Sequence, residues 1–183
     1  MEALFTSTAV VALAEMGDKT QLLSLLLAAK FRNKSAIVMG ILLATLLNHA
    51  ASAWLGAWLA GFINSGLGQW GLAGSFILVG LWLLVPDKED GVSNRFDAYG
   101  PFLVSLVLFF LAEIGDKTQV ATVLLAAEYQ SVFWVTMGTT VGMLLANVPV
   151  VYLGARLMEK IPLNLTRIVA SALFILMGIL TLL

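Results

Sequence analysis

Residues 14 to 21 read AEMGDKTQ, and residues 112 to 119 read AEIGDKTQ. Each octet sets two carboxylates three positions apart, Glu15 with Asp18 and Glu113 with Asp116, followed by a lysine, a threonine and a glutamine. On a continuous helix, residues at i and i+3 share a face, so each octet is expected to present its two acids side by side. Carboxylate, hydroxyl and carboxamide oxygens are hard donors that suit Mg2+, Ca2+ or Mn2+. Mg2+ releases its waters reluctantly, which favours the other two. The chain has no cysteine and one histidine, His49, so thiolate sites and disulfides are excluded. The expected metal ligands are therefore Glu15, Asp18, Glu113 and Asp116. Lys19, Thr20, Gln21, Lys117, Thr118 and Gln119 are expected to support them, and His49, Asn48 and Asn147 are further candidates.

These charges lie in a setting that penalises them. Of the 183 residues, 60% are hydrophobic and 11% charged, and the mean hydropathy is +0.96. A soluble domain has about half apolar and a quarter charged residues, so the composition is that of a membrane protein. Hydrophobic runs place spans near roughly 3–29, 36–60, 67–85, 101–127, 132–155 and 163–183. The octets fall inside the first and fourth. A charge at the centre of a span costs on the order of 2.5 to 3.5 kcal/mol, so three would cancel most of what the rest of that span contributes. They must be paired, hydrated or turned toward a cavity. A purely structural account pairs Glu15 with Lys19, and Glu113 with Lys117, as i,i+4 ion pairs. It leaves Asp18 and Asp116 unexplained. Taken together, four carboxylates and two lysines leave a charge of −2, which one divalent cation would neutralise. Gly17 and Gly115, between the acids, are positions where the helix could loosen and offer backbone carbonyls.

The octets belong to a longer repeat. Glu15 and Glu113 are offset by 98, and the same offset pairs Gly40 with Gly138, Gly56 with Gly154, Phe76 with Phe174 and Gly80 with Gly178. Residues 1–85 thus form a first three-helix repeat, 86–98 a connector and 99–183 a second repeat. Three spans per half make the second half enter the membrane from the opposite side. The expected fold is an all-α integral membrane protein of six transmembrane helices in two inverted repeats. Lys30, Arg32, Lys34, Lys88, Arg95, Arg156, Lys160 and Arg167 all fall on one side, which marks that side as cytoplasmic and places both termini outside. Small residues four apart, Ser52, Gly56 and Ala60 in one half and Gly138, Gly142 and Ala146 in the other, read as helix-packing rows.

Two copies of Glu-x-Gly-Asp-Lys-Thr, each in the first helix of a three-helix repeat, resemble the small cation/proton transporter family that handles calcium and manganese, with members in bacteria and in the eukaryotic Golgi. The resemblance covers essentially the whole chain. It implies a secondary transporter that exports Mn2+ or Ca2+ from the cytoplasm in exchange for protons, with the motif acids Glu15, Asp18, Glu113 and Asp116 as metal ligands. Eukaryotic relatives carry longer N-terminal and central segments, which points to a bacterial inner membrane here. No prosthetic group and no nucleic-acid partner is expected beside the lipid bilayer and the ion. A small basic amino-acid exporter of similar architecture is the alternative, since paired carboxylates would also hold an ammonium group. Neither His-Glu-x-x-His nor Gly-x-Ser-x-Gly occurs, and an enzyme is not expected. His49 matches Asn147 under the offset, and a neutral side chain there ordinarily bonds across helices.

Overall fold

The computed structural model describes residues 1–63, 66–85, 99–155 and 162–183, which form eight helices. These are α1 (Glu2–Glu15), α2 (Lys19–Lys30), α3 (Lys34–Ile63), α4 (Gly66–Leu83), α5 (Gly100–Glu113), α6 (Lys117–Tyr129), α7 (Val132–Leu153) and α8 (Leu163–Leu180). The connector 86–98, and with it Lys88 and Arg95, lies outside the described residues, as do Arg156 and Lys160. Helices α3, α4, α7 and α8 are long and apolar enough to cross a membrane.

The two octet segments are not continuous helices. Helix α1 ends at Glu15 and α2 begins at Lys19. Met16 is extended (φ −66°, ψ 113°), Gly17 has φ +85°, and Asp18 is extended again (φ −88°, ψ 169°) as N-cap of α2. The same sequence gives the same break between α5 and α6, with Gly115 at φ +75°. A left-handed φ stops a helix where only glycine adopts it without steric penalty, and an aspartate after it is a favoured first residue of the next. The following glutamine completes the turn. Gly17 N–H donates to Gln21 Oε1 at 2.8 Å and Gly115 N–H donates to Gln119 Oε1 at 2.6 Å. Each octet therefore encodes a stop, a turn and a restart. Each half-helix of 12 to 14 residues is only about 20 Å long, too short to cross a bilayer core alone.

Packing between the halves is reciprocal. Helix α1 lies on α7, α5 lies on α3, and α4 lies on α8. A Cβ on Gly138 would come within 2.6 Å of the Leu4 carbonyl oxygen and 2.9 Å of Ser7 Cβ. One on Gly40 would come within 2.6 Å of the Phe102 carbonyl oxygen and 2.7 Å of Ser105 Cβ. Both contacts repeat at the offset of 98, and both admit glycine because the backbones nearly touch. Phe76 of α4 and its equivalent Phe174 of α8 meet with ring centroids 6.2 Å apart.

Burial is inverted relative to a water-soluble bundle. Leu67, Trp54, Trp58, Leu78, Trp134 and Leu176 are exposed, whereas Glu15, Asp18, Gln21, His49, Glu113, Asp116 and Lys117 are buried. An apolar outer surface of this extent requires a nonaqueous surrounding. Phe76, Phe109, Phe174, Leu27, Ile41 and Leu125 fill the interior around the polar group.

Candidate metal centre

The two breaks bring the octets together. One carboxylate oxygen from each of Glu15, Glu113 and Asp116 lies within 4.8 Å of the others, and all three side chains are buried. Metal–oxygen bonds of about 2.0 to 2.6 Å allow two donors of one ion to stand up to about 4 to 5 Å apart, so the spacing fits a shared cation. Asp18, at the N-cap of α2, is buried beside this group, near enough for its charge to act on Glu113 and Lys19.

Hydroxyls fix one oxygen of each glutamate. Thr20 Oγ1 donates to Glu15 Oε2 at 2.5 Å, and Thr118 Oγ1 donates to Glu113 Oε2 at 3.2 Å. The other oxygens, Glu15 Oε1 and Glu113 Oε1, are buried without a hydrogen-bond partner. Buried acceptors are ordinarily paired, so two unpaired carboxylate oxygens in one cluster mark a place prepared for a donor or a cation.

The lysines do not make the i,i+4 pairs of the structural account. Lys19 Nζ reaches across to Asp116 Oδ2 of the other octet at 3.4 Å, and Lys117 Nζ donates to the Val85 carbonyl at 2.7 Å. The break explains the difference, because Glu15 and Lys19 no longer share a helix. Counted as formal charges, the three clustered acids with Asp18 beside them, against Lys19 and Lys117, leave −2 at the centre of the fold.

The glutamines act as struts. Besides capping Gly17, Gln21 donates from Nε2 to the Ala146 carbonyl at 2.8 Å, tying α2 to α7. Asn48 Nδ2 donates to the Phe110 carbonyl at 3.1 Å. Asn147 is bonded at both ends of its amide: Oδ1 accepts from Ser24 Oγ at 2.8 Å, and Nδ2 donates to the Met143 carbonyl at 3.1 Å. Ser24 was not singled out by sequence, and its only local signal is a hydroxyl among leucines. His49 Nε2 stands 4.0 Å from Glu113 Oε2 with the ring fully buried.

The two breaks differ in their cover. Leu163 of α8 packs on Gly17, whose carbonyl accepts from Arg167 Nη2 at 3.2 Å, whereas a Cβ on Gly115 would meet nothing within 4 Å.

Interrupted helices gathered around buried charge, inside a shell of hydrocarbon side chains, are the build of a membrane transporter. The sequence matches the family described as "Divalent cation/proton antiporter GDT1" over residues 3–91 and 101–183, and the chain belongs to that family. It is 50% identical, over 99% of its length and 90% of the relative's, to the Vibrio cholerae protein named "Putative manganese exporter". Rice proteins named GDT1-like protein 3 and GDT1-like protein 4 are 26% and 27% identical over 95% of this chain, and it covers 71% and 70% of their lengths. No solved structure matches the chain. The family is one of transporters rather than of enzymes, and it handles cations, which gives the amino-acid alternative no support.

Proposed function

We propose that this chain is a secondary transporter that exports Mn2+ or Ca2+ from the cytoplasm in exchange for protons, with Glu15, Asp18, Glu113 and Asp116 as its ion-binding acids. The observation that carries this reading is the convergence of Glu15, Glu113 and Asp116 within 4.8 Å, from two separate helix breaks. A formal −2 at this place is neutralised by one divalent ion, whereas one monovalent ion would leave −1. The reciprocal packing supports two inverted halves, 1–85 and 99–183, joined by a cytoplasmic connector at 86–98. In that arrangement α1 with α2, and α5 with α6, each form one interrupted span, giving six in all and both termini outside the cytoplasm. The cell membrane in question is a bacterial inner membrane.

Transport then follows from competition for the same oxygens. Deprotonated carboxylates take the ion from the cytoplasmic side. The halves rock about the central site, and protons arriving from outside displace the metal, because a protonated carboxyl is a poor ligand. Lys19 at Asp116 lowers the electrostatic cost of the site between loads.

The test is uptake of Mn2+, Ca2+ and lysine into inside-out vesicles carrying the protein, with and without an inward-acid pH gradient. Manganese uptake driven by the gradient and lost in Glu113→Gln is expected. Uptake of lysine but neither metal would reject the reading.

A further inference from the structure

The two halves differ at a buried position beside the acids. Under the offset of 98, His49 of α3 corresponds to Asn147 of α7. Asn147 is bonded at both ends of its amide, to Ser24 and Met143. His49 does not. Its side chain is wholly buried, neither ring nitrogen has a hydrogen-bond partner, and Nε2 points toward Glu113 Oε2 at 4.0 Å. That gap is too long for a hydrogen bond but lies within the range of about 3 to 5 Å expected of two donors sharing one ion. Nε2 stands outside the group of three acids whose oxygens all lie within 4.8 Å of one another, and Glu113 is its link to them. An imidazole left unsatisfied in a low-dielectric interior carries a desolvation cost, which coordination would offset.

We propose that His49 is a nitrogen donor of the mid-membrane ion site, contributed by the first half only, and that it biases the site toward manganese over calcium. The inference rests on the transport reading above and adds a basis for choosing between its two ions. Calcium takes shells of six to eight oxygens. Mn2+ also favours oxygen donors and is the weakest-binding member of the first-row divalent series, yet it still accepts a nitrogen donor better than calcium does. Carboxylates alone serve both ions, so the oxygen set of the octets does not discriminate. One nitrogen among them does. Asparagine at the same place would offer an oxygen and remove the distinction.

The chain contains a single histidine, which makes the test direct. Protein purified through a histidine-free affinity tag is loaded with Mn2+ and examined by pulsed electron paramagnetic resonance for imidazole 14N coupling to the metal. Coupling is expected in the wild type and absent in His49→Asn. In parallel, the concentration of Ca2+ needed to halve Mn2+ uptake is expected to fall about tenfold in His49→Asn, the lower end of what altered metal surroundings produce. Bound Mn2+ without imidazole coupling in the wild type would overturn the proposal even if His49→Asn failed to fold. Coupling that persists in His49→Asn, or an unchanged calcium competition, would also overturn it. Failure of the wild type to bind Mn2+ at all would instead remove the transport reading, and this inference with it.

Discussion

The helix breaks can be tested by adding one methyl group at two equivalent places. Gly17 and Gly115 have φ of +85° and +75°, so Gly17→Ala and Gly115→Ala each impose a left-handed alanine, at about 1 to 2 kcal/mol. Their surroundings differ. A Cβ on Gly115 meets open space, whereas one on Gly17 would lie 2.6 Å from Leu163 Cδ2 and 3.3 Å from Leu163 Cγ. The nearest atom is the end of a flexible side chain, so Leu163 can turn away, and the added cost is expected at the low end of overpacking, about 1 kcal/mol. Gly17→Ala should therefore be the more destabilising change by that amount, a further loss of about 2 to 4 °C in Tm for a chain of this size. Five tryptophans and no cysteine make intrinsic fluorescence of the detergent-solubilised protein the suitable readout. Leu163→Ala should remove the excess in a double-mutant cycle and leave the cost of Gly115→Ala unchanged. Equal losses for the two alanines, or an excess that survives Leu163→Ala, would refute the assignment of that cost to Leu163.

Glu15→Gln, Glu113→Gln and Asp116→Asn each remove one negative charge from the cluster, and each should weaken Mn2+ binding by at least about tenfold in equilibrium dialysis. Lys19→Met leaves Asp116 buried without its 3.4 Å partner; with Lys19 27% exposed, the metal-free protein should lose about 1 to 2 kcal/mol, a discounted share of a buried-pair loss. Saturating Mn2+ should recover more Tm in this variant than in the wild type. Gln21→Leu breaks bonds to Gly17 and Ala146, while Gln119→Leu breaks the bond to Gly115. At about 1 kcal/mol per bond, Gln21→Leu should show the larger fall in Tm.

The octets, their duplication and the apolar setting were legible because they are local or periodic in the chain. The membrane class follows from composition, and the pairing of the halves follows from one constant offset. The path of the backbone through the octet was harder to read. Sharing of a helix face by Glu15 and Asp18 presupposes unbroken turns, and Gly17 removes that premise. The stop and restart signals were nonetheless present: a glycine after the last helical turn, then an aspartate before the next. Lys19 could not be matched to Asp116 from sequence, since that pair exists only once both breaks lie side by side. The same holds for Ser24 with Asn147 and for His49 beside Glu113. Each is a contact between distant segments, set by the glycine-lined approach of α1 to α7 and of α5 to α3.

The interruption of each motif helix also sets the local backbone field. A helix carries roughly half a positive charge at its start and half a negative charge at its end. Asp18 and Asp116 stand at the starts of α2 and α6, and Glu15 and Glu113 at the ends of α1 and α5. The two acids of one octet thus feel opposite macrodipoles within a few residues of each other. Exchanging glutamate and aspartate within an octet would conserve formal charge yet alter the electrostatics, so the order of the acids is as much a part of the site as their number.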